Sequence, residues 1–199
     1  TGEPSGVLMM NGVEYHPIGG NGFFGILTDG TAMIGTKAEY LQLKSEGKLV
    51  EAIDNFGPTL IRDGEILVGP DSSGDPERDC LARTALGITA TGKVVFLVVE
   101  RIKSEDYSNG ANMYHLAQIL SNAGCVDAIN LDGSGSSTYV ARPAGSDELE
   151  VINQPWDGAT RSVSASLMMV STVPSSTAFD HAVIESDYNY LTIDASINL

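Results

Sequence analysis

Asp132 ends the apolar run VDAINL and opens the stretch DGSGSST, residues 132–138. A carboxylate followed by glycines and small hydroxylated residues is not what building a core asks for. The stretch can be a tight turn, with glycine taking positive φ and serine bonding its own backbone. It can also cradle an anion, because successive backbone N–H groups and the hydroxyls of Ser134, Ser136, Ser137 and Thr138 are all donors. A second carboxylate, Glu100, closes the apolar run KVVFLVV. Two carboxylates in one cleft can handle a water molecule and steady a positive centre, as glycoside hydrolysis requires. Arg83 and Arg161 open the runs RTALGI and RSVSASLMMV. Their guanidinium groups suit the two-pronged grip of a phosphate.

Each of these residues also has a plainer reading. Carboxylates at strand ends are often only solvated turn residues, and arginines there are often surface ion pairs. Asp132, Ser134 and Ser136 spell D-x-S-x-S, which resembles the metal-ion-dependent adhesion site of von Willebrand A domains. Such a site is followed by a helix and by ligands from later loops, whereas STYVAR reads as a strand and little chain remains. His115 falls within a helical segment and reads as packing or surface; His16 and His181 have no partner in the sequence. Trp156, in QPWDGATR, either stacks on a sugar ring or anchors its loop. Thr1 as an N-terminal nucleophile has no other support.

The elements that must position these groups follow from pattern. Residues 7–68 read as short strands punctuated by glycine turns, with hairpins at Asp29-Gly30 and Asp63-Gly64. Between them TKAEYLQLKSEGK reads as a short helix, capped by Thr36 and stopped at Gly47. Residues 71–79 form a polar loop. RTALGIT and KVVFLVVE are strands joined at Thr91-Gly92. NMYHLAQILSNAG places Met113, Leu116, Ala117 and Leu120 on one helical face, with Asn112 as N-cap and Gly124 beyond the C-cap. Strand, helix and strand make a βαβ crossover, so KVVFLVV and VDAINL run parallel in one sheet. Glu100 and Asp132 then emerge at the same sheet edge, where open α/β sheets place their sites. A strand is expected over SVSASLMMVS, then a Ser/Thr/Pro linker.

Composition narrows the field. The 199 residues, 42% hydrophobic, allow one sizeable domain with a real core. The net charge of −15, from 11 Lys+Arg against 26 Asp+Glu, repels nucleic acid and anionic membranes. No apolar run approaches a membrane span, and the start carries no signal-like segment. Cys80 and Cys125 form no CxxC pair and no metal cluster. Whether they pair stays open; both precede strands, which puts them at the sheet edge away from the carboxylates.

Over a longer span the chain resembles the phosphodiester glycosidase family. The resemblance is carried by RTALGI at 83–88, KVVFLVVE at 93–100, the helix, DAINLDGSGSSTYV at 127–140 and RSVSASLMMV at 161–170, in family order. NFGPTLIRDGE at 55–65 matches the family's G-P-x-L-V-x-D-G hairpin. Glu100 stands where the family has Asp, and Arg-Ile follows instead of Gly-Arg. Ser134 replaces the middle glycine of the family's loop. The family's N-G-G-F-F segment would lie before Thr1, so a separate N-terminal segment of the same protein is expected as a partner.

The expectations are therefore an α/β (α+β) fold, a mixed β-sheet with packed helices and one βαβ crossover. Residues 1–172 form the glycosidase-like domain, and 173–199 a linker and the start of a further β-domain. The resemblance implies a hydrolase of sugar-1-phosphodiesters, secreted or on the cell surface, with a glycan or sugar-1-phosphodiester as substrate. Glu100, Asp132 and Arg83 are the expected catalytic residues. Gly133, Ser134, Gly135, Ser136, Ser137, Thr138 and Arg161 are the expected phosphate ligands, with no cofactor and no metal. A non-catalytic glycan- or phosphate-binding module of a surface protein is the alternative, with the metal-dependent adhesion domain behind it.

Overall fold

The computed structural model describes residues 3–70, 80–102, 109–143, 146–163 and 165–170. A first sheet comprises β1 (Leu8–Met10), β2 (Val13–His16), β3 (Gly22–Leu27), β4 (Ala32–Thr36) and β5 (Leu49–Asp54), in the order β2-β1-β5-β3-β4. A second comprises β6 (Thr59–Arg62), β7 (Glu65–Ile66), β8 (Arg83–Thr89), β9 (Val94–Val99) and β10 (Cys125–Asn130), in the order β7-β6-β10-β8-β9. Helix α1 (Lys37–Ser45) follows β4, and α2 (Met113–Asn122) joins β9 to β10. Beyond β10 come a 3-10 turn (Ser134–Ser136) and a small hairpin, β11 (Val140–Ala141) with β12 (Glu150–Val151).

Local chemistry sets the turns and caps. Asp63 and Gly64 have φ of 50° and 81°, the left-handed pair that a two-residue hairpin needs. Thr36 and Glu39 form a reciprocal capping box at the start of α1, with Thr36 N–H donating to Glu39 Oε2 at 2.6 Å. Asn112 Oδ1 accepts the His115 N–H at 2.8 Å and caps α2. Gly47 and Gly124, just past the two helices, take positive φ as expected.

The sheets stack between the helices in the order α1, first sheet, second sheet, α2. Side chains alternate between layers. Phe23 packs on α1, edge-on to Tyr40, while Phe24 turns to the second sheet with Leu86, Ile88 and Ile129. On the second sheet Ala85 and Ala128 turn the other way, to Leu116, Ala117 and Leu120 of α2. Both faces of that sheet are covered, so residues 85–88 of β8 are buried at every position rather than at every second one. Leu120 is fully buried, and Leu120→Ala would cost about 2–5 kcal/mol.

Strands β9 and β10 are each antiparallel to β8, hence parallel to each other, with α2 as the crossover. The expected unit is present, but β8 lies between its two strands. That insertion corrects one expectation. The start of β8 lies at the same edge as the ends of β9 and β10, so Cys80 lies near the carboxylates, with Cys125 at the opposite edge. Cys125 is a free thiol. A second correction concerns RSVSASLMMV: its described residues, 161–163 and 165–170, form no strand. Leu167 packs on the inter-sheet core, but Met168, Met169 and Val170 are 80%, 70% and 73% exposed. β propensity gives no ladder without a neighbouring strand. The polar loop at 71–79 and the segment 173–199 lie outside the described residues.

Candidate functional site

The antiparallel placement of β8 builds the site edge. Arg83 pairs with Val99, and Ala85 with Asn130. Continuing these registers sets Glu100 beside Ala82 and Asp132 beside Arg83. Hydrogen bonds carry the second register past the end of β10: Leu131 N–H donates to Thr84 C=O at 2.9 Å, and Ser134 N–H to Ala82 C=O at 2.7 Å. Glu100 and Asp132 thus flank the start of β8, two strand spacings or about 10 Å apart at the backbone. Arg83 stands between them, its Nε donating to the Ala111 carbonyl at 3.1 Å just ahead of α2.

The loop after Asp132 is drawn tightly over this edge. A Cβ on Gly133 would stand 3.0 Å from the Ala82 carbonyl and 3.6 Å from Arg83 Cα, so glycine is what permits the approach. Ser134 has φ of 54°, a conformation that favours glycine. Four of the loop's N–H groups are already committed: Gly133 to Asp132 Oδ1, Ser134 to Ala82, Ser136 to Gly133 and Ser137 to Ser134. Holding an anion here therefore falls mainly to side chains rather than to a nest of backbone donors. Ser137 is not among them. It is fully buried, and its Oγ accepts from Thr84 Oγ1 at 3.1 Å, which anchors the loop.

A wall formed by residues 153–161 is tied across the same edge. Asn153 Nδ2 donates to the Ser137 carbonyl at 3.1 Å, and Asn153 Oδ1 accepts the Tyr139 N–H at 2.6 Å. Gln154 N–H donates to Glu100 Oε2 at 2.8 Å. Arg101 lies 4.8 Å from the centre of the Trp156 ring while its Nη1 donates to the Cys80 carbonyl at 2.8 Å. Arg101 thus anchors the wall. Arg161 pairs with Asp157 at 2.5 Å, and both side chains abut Gly135. The structure therefore brings together Arg83, Glu100, Asp132, residues 133–138 and Arg161.

Sequence reasoning missed two polar residues at this edge. Asn130 is 2% exposed, and its Nδ2 donates to the Phe56 and Gly57 carbonyls at 3.3 and 2.9 Å. Its own carbonyl accepts the Phe56 N–H at 3.1 Å, while its Oδ1 is buried without a partner. Asp54, at the end of β5, accepts N–H bonds from Val7, Gly19 and Gly20 at 3.1, 3.0 and 2.9 Å. Through Asp54, Asn55 and Phe56 the first sheet is joined to the site edge of the second. The signal was a polar residue inside an apolar run (INL, IDN) facing a glycine cluster (IGGNG).

Among the described residues no group of three or more His, Cys, Asp or Glu is arranged to hold a metal ion. The D-x-S-x-S motif itself ends in a 3-10 turn, and the next element is a short strand, not the helix of an adhesion site.

A profile of one protein family, described as Phosphodiester glycosidase, matches residues 1–170. The N-acetylglucosamine-1-phosphodiester alpha-N-acetylglucosaminidase of Bos taurus is 32% identical over 154 residues, 70% of this chain and 28% of that protein. That of Homo sapiens is 30% identical over 132 residues, 60% of this chain and 25% of that protein. The chain thus spans under a third of the length of these relatives. Among solved structures, the zebrafish enzyme's catalytic domain, auto-inhibited by its pro-peptide, matches with a TM-score of 0.60 at 29% identity, covering 78% of this chain and 52% of that one.

Proposed function

The chain belongs to the phosphodiester glycosidase family, and from that premise we propose that it hydrolyses the glycosidic bond between a sugar's anomeric carbon and a phosphodiester. The observation that carries the proposal is the convergence of Arg83, Glu100, Asp132 and the Gly133–Thr138 loop on one sheet edge. Names of relatives that act on N-acetylglucosamine-1-phosphodiesters support that substrate class.

Phosphate is a competent leaving group, so the anomeric C–O bond breaks with little help from an acid. What the reaction needs is positive charge on the phosphate and negative charge near the developing oxocarbenium-like carbon. Arg83 and Arg161 supply the first, with hydroxyls of Ser134, Ser136 and Thr138. Asp132 supplies the second and handles the water that adds to the anomeric carbon. Glu100 already accepts the Gln154 N–H, so it also holds the wall in place. Arg161 is half-exposed, so its grip on phosphate is worth about 1 kcal/mol and not the several expected of a buried pair.

We place the protein outside the cell or at the cell envelope, acting on polymers with sugar-1-phosphate links; the −15 charge suits such a setting. No helix among the described residues is long and apolar enough to cross a membrane. The test is turnover of an N-acetylglucosamine-1-phosphodiester by the wild-type chain and by Asp132→Asn. Asp132 is exposed, so the variant keeps its fold while kcat falls by at least about a hundredfold. Tight binding without turnover by the wild type would favour the glycan-binding alternative.

A further inference from the structure

The hairpin that follows the site loop reaches back into it. Its ladder pairs Ala141 with Glu150 and Val140 with Val151, and the Ile152 N–H adds a bond to the Tyr139 carbonyl at 2.8 Å. The Asn153 side chain then carries the contact one step further. Its Oδ1 accepts the Tyr139 N–H at 2.6 Å, and its Nδ2 donates to the Ser137 carbonyl at 3.1 Å. These groups belong to the two peptides on either side of Thr138. Asparagines in turns usually bond their own backbone within a few residues; this one reaches back 14 and 16 positions. The partners also fix which way the amide points, since an N–H can only donate and a carbonyl can only accept. An ionised aspartate of the same length would have no donor for Ser137.

Thr138 is thereby held from both ends. Before it, Ser137 is fully buried with its hydroxyl on Thr84; after it, Tyr139 is tied to both Ile152 and Asn153. Thr138 itself is half-buried, and among the described residues its hydroxyl has no partner. We propose that Asn153 is a positioning residue of the site: its amide clamps the two peptides flanking Thr138 and so aims the Thr138 hydroxyl at the substrate's phosphate. A donor fixed before the ligand arrives loses little freedom on binding, so the clamp strengthens the grip on the diester and leaves bond breaking to other groups. The inference rests on the hydrolase reading above and adds to it a residue that acts through Thr138.

The test is a double-mutant cycle on KM for the methyl diester of N-acetylglucosamine-1-phosphate, in wild type, Asn153→Ala, Thr138→Val and the pair. Each single variant should raise KM roughly three- to tenfold with kcat little changed. The pair should be no worse than Thr138→Val alone, because the clamp has nothing to aim once the hydroxyl is gone. A tie that only holds the wall in place would add its own loss to that of Thr138→Val, or would lower kcat. Either result overturns the proposal and leaves the hydrolase reading intact, as does an unchanged KM in either single variant. Asn153→Leu, which keeps the volume and loses both bonds, should match Asn153→Ala, and circular dichroism checks the fold of all variants. If the diester is not turned over, the hydrolase reading fails, and calorimetric binding of the same diester runs the same cycle. A non-additive loss of affinity supports the clamp, and an additive or absent loss rejects it.

Discussion

Gly135 and Arg161 occupy the same small space: a Cβ on Gly135 would collide with Arg161 Nη2 and with the Asp157 carboxylate that holds it. The glycine of the loop after β10 therefore sets where a guanidinium of the opposing wall can lie.

Gly135→Ala tests that dependence. The colliding atoms are the far ends of two half-exposed side chains, which can swing away, so unfolding free energy should change by less than about 1 kcal/mol. Arg161 would be displaced, and KM for an anionic diester should rise about as much as in Arg161→Ala. A double variant no worse than either single one would show that both act through the same group.

Ser134 offers a gain in stability. It carries φ of 54° where the family's loop has glycine, and a left-handed conformation costs a residue with a Cβ about 1 kcal/mol. Ser134→Gly should raise the urea midpoint by the equivalent of about 0.5–1 kcal/mol after the glycine's larger unfolded-state entropy is counted. A lower midpoint would mean that the Ser134 hydroxyl does structural work.

Acid should expose a contribution far from the site. The Lys44 ammonium, at 2.7 Å, and then the buried Tyr40 hydroxyl hold the Glu14 carboxyl below its ordinary 4.5. A lowered folded-state pKa gives stability that is fully present above the unfolded value and is lost as pH falls through the folded value. The stability difference between wild type and Glu14→Gln should therefore be steady at about pH 5–7 and shrink on further acidification. Urea titrations at several pH values measure it directly.

The cysteines should be independent. Cys80 lies just before β8, whereas Cys125 pairs with Thr89 at the far end of that seven-residue strand, about 20 Å away. Reductant should leave the melting temperature unchanged. Cys125 is buried, and burial raises its thiol pKa, so it should react slowly with a thiol reagent until the chain unfolds. An intramolecular disulfide found by mass spectrometry would contradict the fold as described.

The sequence disclosed what local chemistry decides. Asp63-Gly64, the Thr36 cap and the Asn112 cap were legible because a few adjacent residues determine each of them. The crossover was legible in its direction but not in its neighbours. Strand pairing is a choice among distant segments, and β8 inserting between β9 and β10 moved Cys80 to the edge opposite the expected one. The candidate site was readable as residue types at strand ends. Its wiring was not, because Arg101 on Trp156, Gln154 on Glu100 and Asn130 on Phe56 each join segments with no shared pattern. Ser137 looked like a ligand by composition and is an anchor by burial.

The wall at residues 153–161 is tied to the second sheet by side chains and single backbone bonds, not by a strand ladder. A ladder transmits any change along its whole length, since slipping one pair slips them all. Discrete ties do not. Residues between the ties can be replaced without disturbing a layer of the core, so what this edge grips can be retuned while the sheets beneath stay as they are.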